Sequence, residues 1–170
     1  MTAETGLWYT AKRTCAEMRS SMEKTIDLYV KKEGAARENC FSTIGEAIEA
    51  MERIAPVPEE IAAELEKGRI YPSPVYEVTP FVVHIGAGEY REKLVLSRPN
   101  VTFLGEGRDK TVLVFGDGAN EIEEDGEKRG TFRTATLRID TPDFTARHLT
   151  FQKDAGYGHT VGQALALYVD

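Results

Sequence analysis

The spacing of apolar residues changes character near residue 80. From Ala11 to Tyr29 they fall at Cys15, Met18, Met22, Ile26 and Tyr29, three or four residues apart, which predicts a helix with one apolar face. Charged residues fill its remainder, and Lys31-Lys32-Glu33-Gly34 ends it. A second helix is predicted to begin at Thr43-Ile44-Gly45-Glu46, which has capping-box spacing, with Ile44, Ala47, Ile48, Met51 and Ile54 as its apolar stripe. A third, short helix is predicted from Pro58 to Lys67, with Gly68 just beyond it. Tyr71-Pro72-Ser73-Pro74 then demands extended backbone.

After Pro80 the runs are short and alternate: Phe81–Ile85, Val101–Leu104, Thr111–Phe115, Thr134–Ile139, Phe144–Phe151 and Ala164–Val169. They are rich in Val, Thr, Phe and Leu and are separated by Gly, Asp and Asn, the composition of strands and corners. No helical pattern lies between them, which argues against a doubly wound α/β sheet. Clean Asn-Gly hairpin signals are missing too, which weakens a sandwich or meander. A coiled stack of parallel strands, each rung covering the next, fits best, with the first helix as a cap on its open end. The predicted fold class is therefore all-β dominated, a partial parallel β-helix with N-terminal capping α-helices. Residues 1–40 form a helical extension and residues 41–170 the β-helix, with an insertion at about 56–79.

Composition narrows the function. The chain has 170 residues and a net charge of −7, which disfavours nucleic acid as a partner. No apolar run approaches the roughly 18 residues that would cross a bilayer. The opening residues carry neither a basic n-region nor an apolar h-region, so no secretory signal is visible and localisation is left unassigned. Cys15 and Cys40, outside any dense framework, are read as reduced thiols, and His84, His148 and His159 lack ligand spacing. No metal or cofactor is expected. The acidic run from Gly116 to Gly130 reads as a solvated loop leaving a corner.

Five segments in fixed order carry the chemistry. They are Gly88-Glu89-Tyr90-Arg91-Glu92, Gly105-Glu106-Gly107, Thr131-Phe132-Arg133-Thr134-Ala135-Thr136, Phe151-Gln152-Lys153-Asp154-Ala155-Gly156 and Gly162-Gln163-Ala164-Leu165-Ala166-Leu167. Together with the opening Thr43-Ile44-Gly45-Glu46-Ala47-Ile48, this ordered set resembles the pectinesterases, which hydrolyse methyl esters of polygalacturonate and fold as right-handed parallel β-helices. Lys153 departs from the pattern, standing where Asn is usual.

In Gly88–Glu92, Tyr90 is expected to pack its ring on the coil, and Glu92 to accept hydrogen bonds from a neighbouring turn. The resemblance implies that Thr131 lines the substrate cleft and that Gln163 binds substrate and stabilises the oxyanion. An amide suits that task because it donates hydrogen bonds to developing negative charge without titrating. The nucleophilic and acid/base aspartates of the family come from a Gln-Asp-Thr-Leu segment and later rungs, and no Gln-Asp pair occurs here. The expectation is thus a carbohydrate esterase acting on methyl-esterified pectin, a monomer when complete, with this chain ending before its catalytic aspartates and inactive alone. The alternative is a non-catalytic carbohydrate-binding or structural β-helix module.

Overall fold

The computed structural model describes residues 25–32, 38–67 and 78–170. Among the described residues, eleven strands make three parallel sheets. Sheet one contains β1 (Ile26–Val30), β2 (Cys40–Phe41), β3 (Phe81–Ile85), β6 (Val101–Gly105) and β9 (Phe144–Arg147), in the order β2-β1-β3-β6-β9. Sheet two is β4 (Gly88–Arg91), β7 (Thr111–Phe115) and β10 (Thr150–Lys153). Sheet three is β5 (Leu94–Leu96), β8 (Leu137–Ile139) and β11 (Leu167–Val169). The chain visits sheets one, two and three in turn, three times over, so β3-β4-β5, β6-β7-β8 and β9-β10-β11 are successive rungs of a parallel β-helix.

Register explains why the alternating runs became strands. Leu28, Val83 and Phe103 are aligned across sheet one and are fully buried. Tyr90 and Leu113 are aligned in sheet two, and Leu94 and Leu137 in sheet three. Each inward side chain rests on its counterpart one rung away, and burying one such Leu, Val or Phe is worth about 1.5–3 kcal/mol. The corners need unusual backbone. Asn100, Asp143 and His148 have positive φ, and a Cβ on Gly105 would stand 2.2 Å from the His148 carbonyl oxygen.

Helix α1 (Ile44–Ile54) closes the first end of the core, burying Ile44, Ala47, Ala50 and Met51. Its capping box is present as the sequence predicts: the Glu46 amide donates to Thr43 Oγ1 and the Thr43 amide to the Glu46 carboxylate. Ile54, counted in the predicted stripe, is instead 43% exposed, because it lies in the last turn beyond the strands. Helix α2 (Glu59–Glu66) follows, within the Pro58–Lys67 span, and buries Ile61.

Three expectations change. The helix predicted from Ala11 to Tyr29 does not extend through its final residues: Ile26–Val30 is β1, paired along its whole length with β3. Ile26, Leu28 and Val30 alternate inward, a period-two pattern that helical spacing concealed, so sheet one begins inside the span assigned to the helical extension. The rest of that helix, Cys15 included, and the Tyr71–Pro74 segment lie outside the described residues. Second, the run Phe144–Phe151 is two strands, split by a corner at His148 (φ 57°). Third, the strands predicted to start at Thr134 and Ala164 start at Leu137 and Leu167 instead.

Candidate functional site

The N-terminal approaches to β8 and β11 lie side by side, and they hold both residues singled out in the sequence. Thr131 opens a 3-10 turn, Thr131–Arg133, that follows the acidic loop. Its backbone is fixed from below: buried Thr134 donates its hydroxyl to the Thr131 carbonyl at 2.6 Å and accepts the Leu165 amide at 3.0 Å. Thr136, also buried, donates to the Gln152 carbonyl at 2.8 Å. The strand alternation expected for Thr134 and Ala135 therefore does not apply, since both are buried in an irregular segment. The Thr134 and Thr136 hydroxyls bind successive rungs together.

Gln163 is exposed and enters the rung after α3 (Gly158–Val161). Its carbonyl accepts the Ala119 amide at 3.0 Å, and the Asn120 amide bonds Val161 at 2.9 Å. Gly162 has φ 77° and lies so close to Asn120 that a Cβ would meet its side chain at 3.1 Å. Gly118 is tighter still, since a Cβ there would stand 2.6 Å from Val161. These contacts clamp the 116–130 loop against the segment carrying Gln163.

The loop itself is ordered by charge rather than merely solvated. Arg129 Nη1 lies 2.7 Å from Asp117 and contacts Glu121, while Nε donates to Glu123 at 2.7 Å. Ile122 and Lys128 form an antiparallel bridge. Arg133 donates to the carbonyls of Arg129 at 2.6 Å and Lys128 at 3.0 Å, tying the loop to the 3-10 turn.

The structure brings Thr131 and Gln163 together: the threonine hydroxyl donates to Gln163 Oε1 at 2.9 Å. That bond engages the amide oxygen, and the NH₂ group, a neutral donor, has no hydrogen-bond partner among the described residues. Sequence reasoning missed the aromatic neighbours. Phe132 is 65% exposed and its ring lies 5.3 Å from that of Tyr168, over which Arg138 sits at 5.9 Å. The signal was available, since Phe132 follows a candidate contact residue and Tyr168 occupies the outward position of β11.

Glu92 accepts hydrogen bonds as expected, but from a helix rather than from a neighbouring turn of the coil. Its carboxylate accepts the amides of Ile44 at 3.0 Å and Gly45 at 2.8 Å, anchoring the N-terminus of α1 where a negative charge is favoured. Tyr90 donates to the Gly86 carbonyl at 3.1 Å, and burial pushes its phenol pKa up. The Gly88–Glu92 signature is thus a joint between cap and coil. His84 pairs with Asp27 at 2.7 Å and stacks on Tyr29 in sheet one.

Comparison with known proteins settles the family. The sequence profile of the pectinesterases matches residues 67–170. The chain belongs to the pectinesterase family. It is similar to pectinesterase A of Dickeya chrysanthemi, with 38% identity over 76 residues, 45% of this chain and 21% of that protein. Probable pectinesterase 56 of Arabidopsis thaliana is 33% identical over 152 residues, covering 88% of this chain and 42% of the relative. Among solved structures, pectin methylesterase PemA from Erwinia chrysanthemi superposes with a TM-score of 0.63 at 28% identity, covering 84% of this chain and 38% of PemA. A crystal structure of pectin methylesterase in complex with a hexasaccharide gives the same score, identity and coverage. The chain therefore spans less than half the length of the relatives it matches.

Proposed function

We propose that this chain supplies the substrate-binding and oxyanion-stabilising side of a pectin methylesterase, the carbohydrate esterase that converts methyl-esterified polygalacturonate to pectate and methanol. The observation that carries the reading is the hydrogen bond from Thr131 to Gln163 Oε1. Attack on a methyl ester moves negative charge onto the carbonyl oxygen, and a pre-oriented NH₂ beside that oxygen stabilises the charge without changing protonation. Loss of one such donor costs roughly 2.7–4 kcal/mol of barrier in comparable sites. Thr131 acts as a positioning residue, since its hydroxyl fixes which end of the amide faces the ester. Phe132 and Tyr168 give sugar rings an apolar surface to lie on.

The nucleophile is a separate matter. The aspartates expected of the family come from a Gln-Asp-Thr-Leu segment and later rungs, no Gln-Asp pair occurs in these 170 residues, and the chain alone is proposed to be inactive. Methanol release from esterified pectin tests both parts. No release above a Gln163→Ala control is expected. Turnover that disappears in Gln163→Ala overturns the proposed inactivity, and turnover that survives it overturns the role of Gln163.

A further inference from the structure

A groove of about 960 Å³ lies beyond the C-terminal ends of the sheet-three strands, between that sheet and the two helices. Its floor includes Val95, Ser97 and Arg138, and its far wall is Leu65 and Glu66 of α2 with Glu49 of α1. The groove and the Thr131–Gln163 pair approach one outward face from opposite ends of the same strands. Between them runs a single row: Val95 is in register with Arg138, and Arg138 with Tyr168. Tyr168 then touches Phe132, next to Thr131.

The charge of the groove is one-sided. Arg98 is committed to Glu52 at 3.0 Å, and Arg138 to Asp140 at 2.6 Å, with Asp170 at 3.6 Å. Glu49 and Glu66 are exposed and, among the described residues, have no cationic partner, so the wall carries uncompensated negative charge. A uronate with a free carboxylate is repelled there, whereas its methyl ester is neutral and carries a methyl group for Leu65 and Val95.

We infer that this groove is an extension of the sugar-binding face that selects methyl-esterified uronate residues over free carboxylates, with Glu49 and Glu66 as specificity-determining residues. The inference rests on the esterase reading above and adds what lies beyond the reacting sugar. Both glutamates are at exposed helical positions, where glutamine is tolerated with little change in stability.

The test is binding of the chain to fully methyl-esterified and fully de-esterified oligogalacturonides, measured by calorimetry at low salt. The esterified sugar is expected to bind more tightly by about threefold to tenfold, a preference that shrinks as salt is added. The double variant Glu49→Gln/Glu66→Gln should bring the ratio to about twofold or less by strengthening only the de-esterified sugar. Equal binding of both sugars, or a ratio unmoved by the double variant, overturns the groove inference alone, provided Gln163→Ala still weakens binding. Absence of binding by either sugar overturns it together with the esterase reading.

Discussion

The first two rungs of the coil and the third treat the same kind of side chain differently. Leu94 and Leu137 are aligned in sheet three and are 5% and 0% exposed, because α1 and the neighbouring rungs cover them. Leu167, aligned with Leu137 one rung further, is 40% exposed, and Val169, aligned with buried Ile139, is 61% exposed. Burial in a stacked coil is thus conferred by the next layer rather than by the residue's own rung. The closed end is a stability element. The third rung carries the candidate chemistry, with Gln163 and Tyr168.

That contrast is most directly broken by paired truncations. Leu137→Ala is expected to cost about 2–5 kcal/mol in chemical denaturation, whereas Leu167→Ala should cost about 0.5 kcal/mol. Similar losses at both positions would remove the distinction. Next in size is the joint that holds the cap. Glu92→Ala leaves two helix amides without their charged acceptor and should cost about 1.5–3 kcal/mol, with Glu92→Gln recovering part of the loss. Thermal melts of the two variants check this. Thr134→Val should cost about 1–3 kcal/mol, because a buried hydroxyl serving two rungs is removed while its partners stay in place.

The smallest effect depends on pH. Arg91 donates to Asp154 at 2.6 Å, across sheet two from one rung to another, and that bond holds the Asp154 carboxyl below its ordinary value of 3.8. A depressed carboxyl stabilises the fold above the unfolded value and loses that contribution as pH falls below it. Wild-type melting temperature should therefore drop slightly more than that of Asp154→Asn on acidification below about pH 4. Parallel curves would assign the pair no role.

Much of this fold was legible because its signals are local. The capping box at Thr43, the helix after Pro58 and strands β3, β6 and β7 all follow from spacing and turn residues within a few positions. β1 was not legible, since Ile26 and Tyr29 fit a helical face as well as Leu28 and Val30 fit a strand, and only pairing with β3 decides between them. β4 and β5 escaped notice because three or four residues carry too little alternation to register. The two candidate residues, Thr131 and Gln163, were singled out through ordered motifs. Their mutual hydrogen bond was not foreseeable, since it depends on the 116–130 loop being clamped by Arg129 and by glycines at 118 and 162. Phe132 and Tyr168 went unremarked because an aromatic in a loop and one in a strand look alike in sequence, and only the stack places them together.

The central claim is that the amide of Gln163, held by Thr131, meets the esterified sugar. The chain contains two glutamines, at 152 and 163, so side-chain amide resonances in a nitrogen–proton correlation spectrum are readily assigned with Gln163→Ala. On titration with methyl-esterified hexagalacturonate, the Gln163 amide pair and the backbone of Phe132 and Tyr168 should shift together, and Thr131→Val should weaken the response. A Gln163 signal that stays fixed while resonances elsewhere on the coil move would contradict the account.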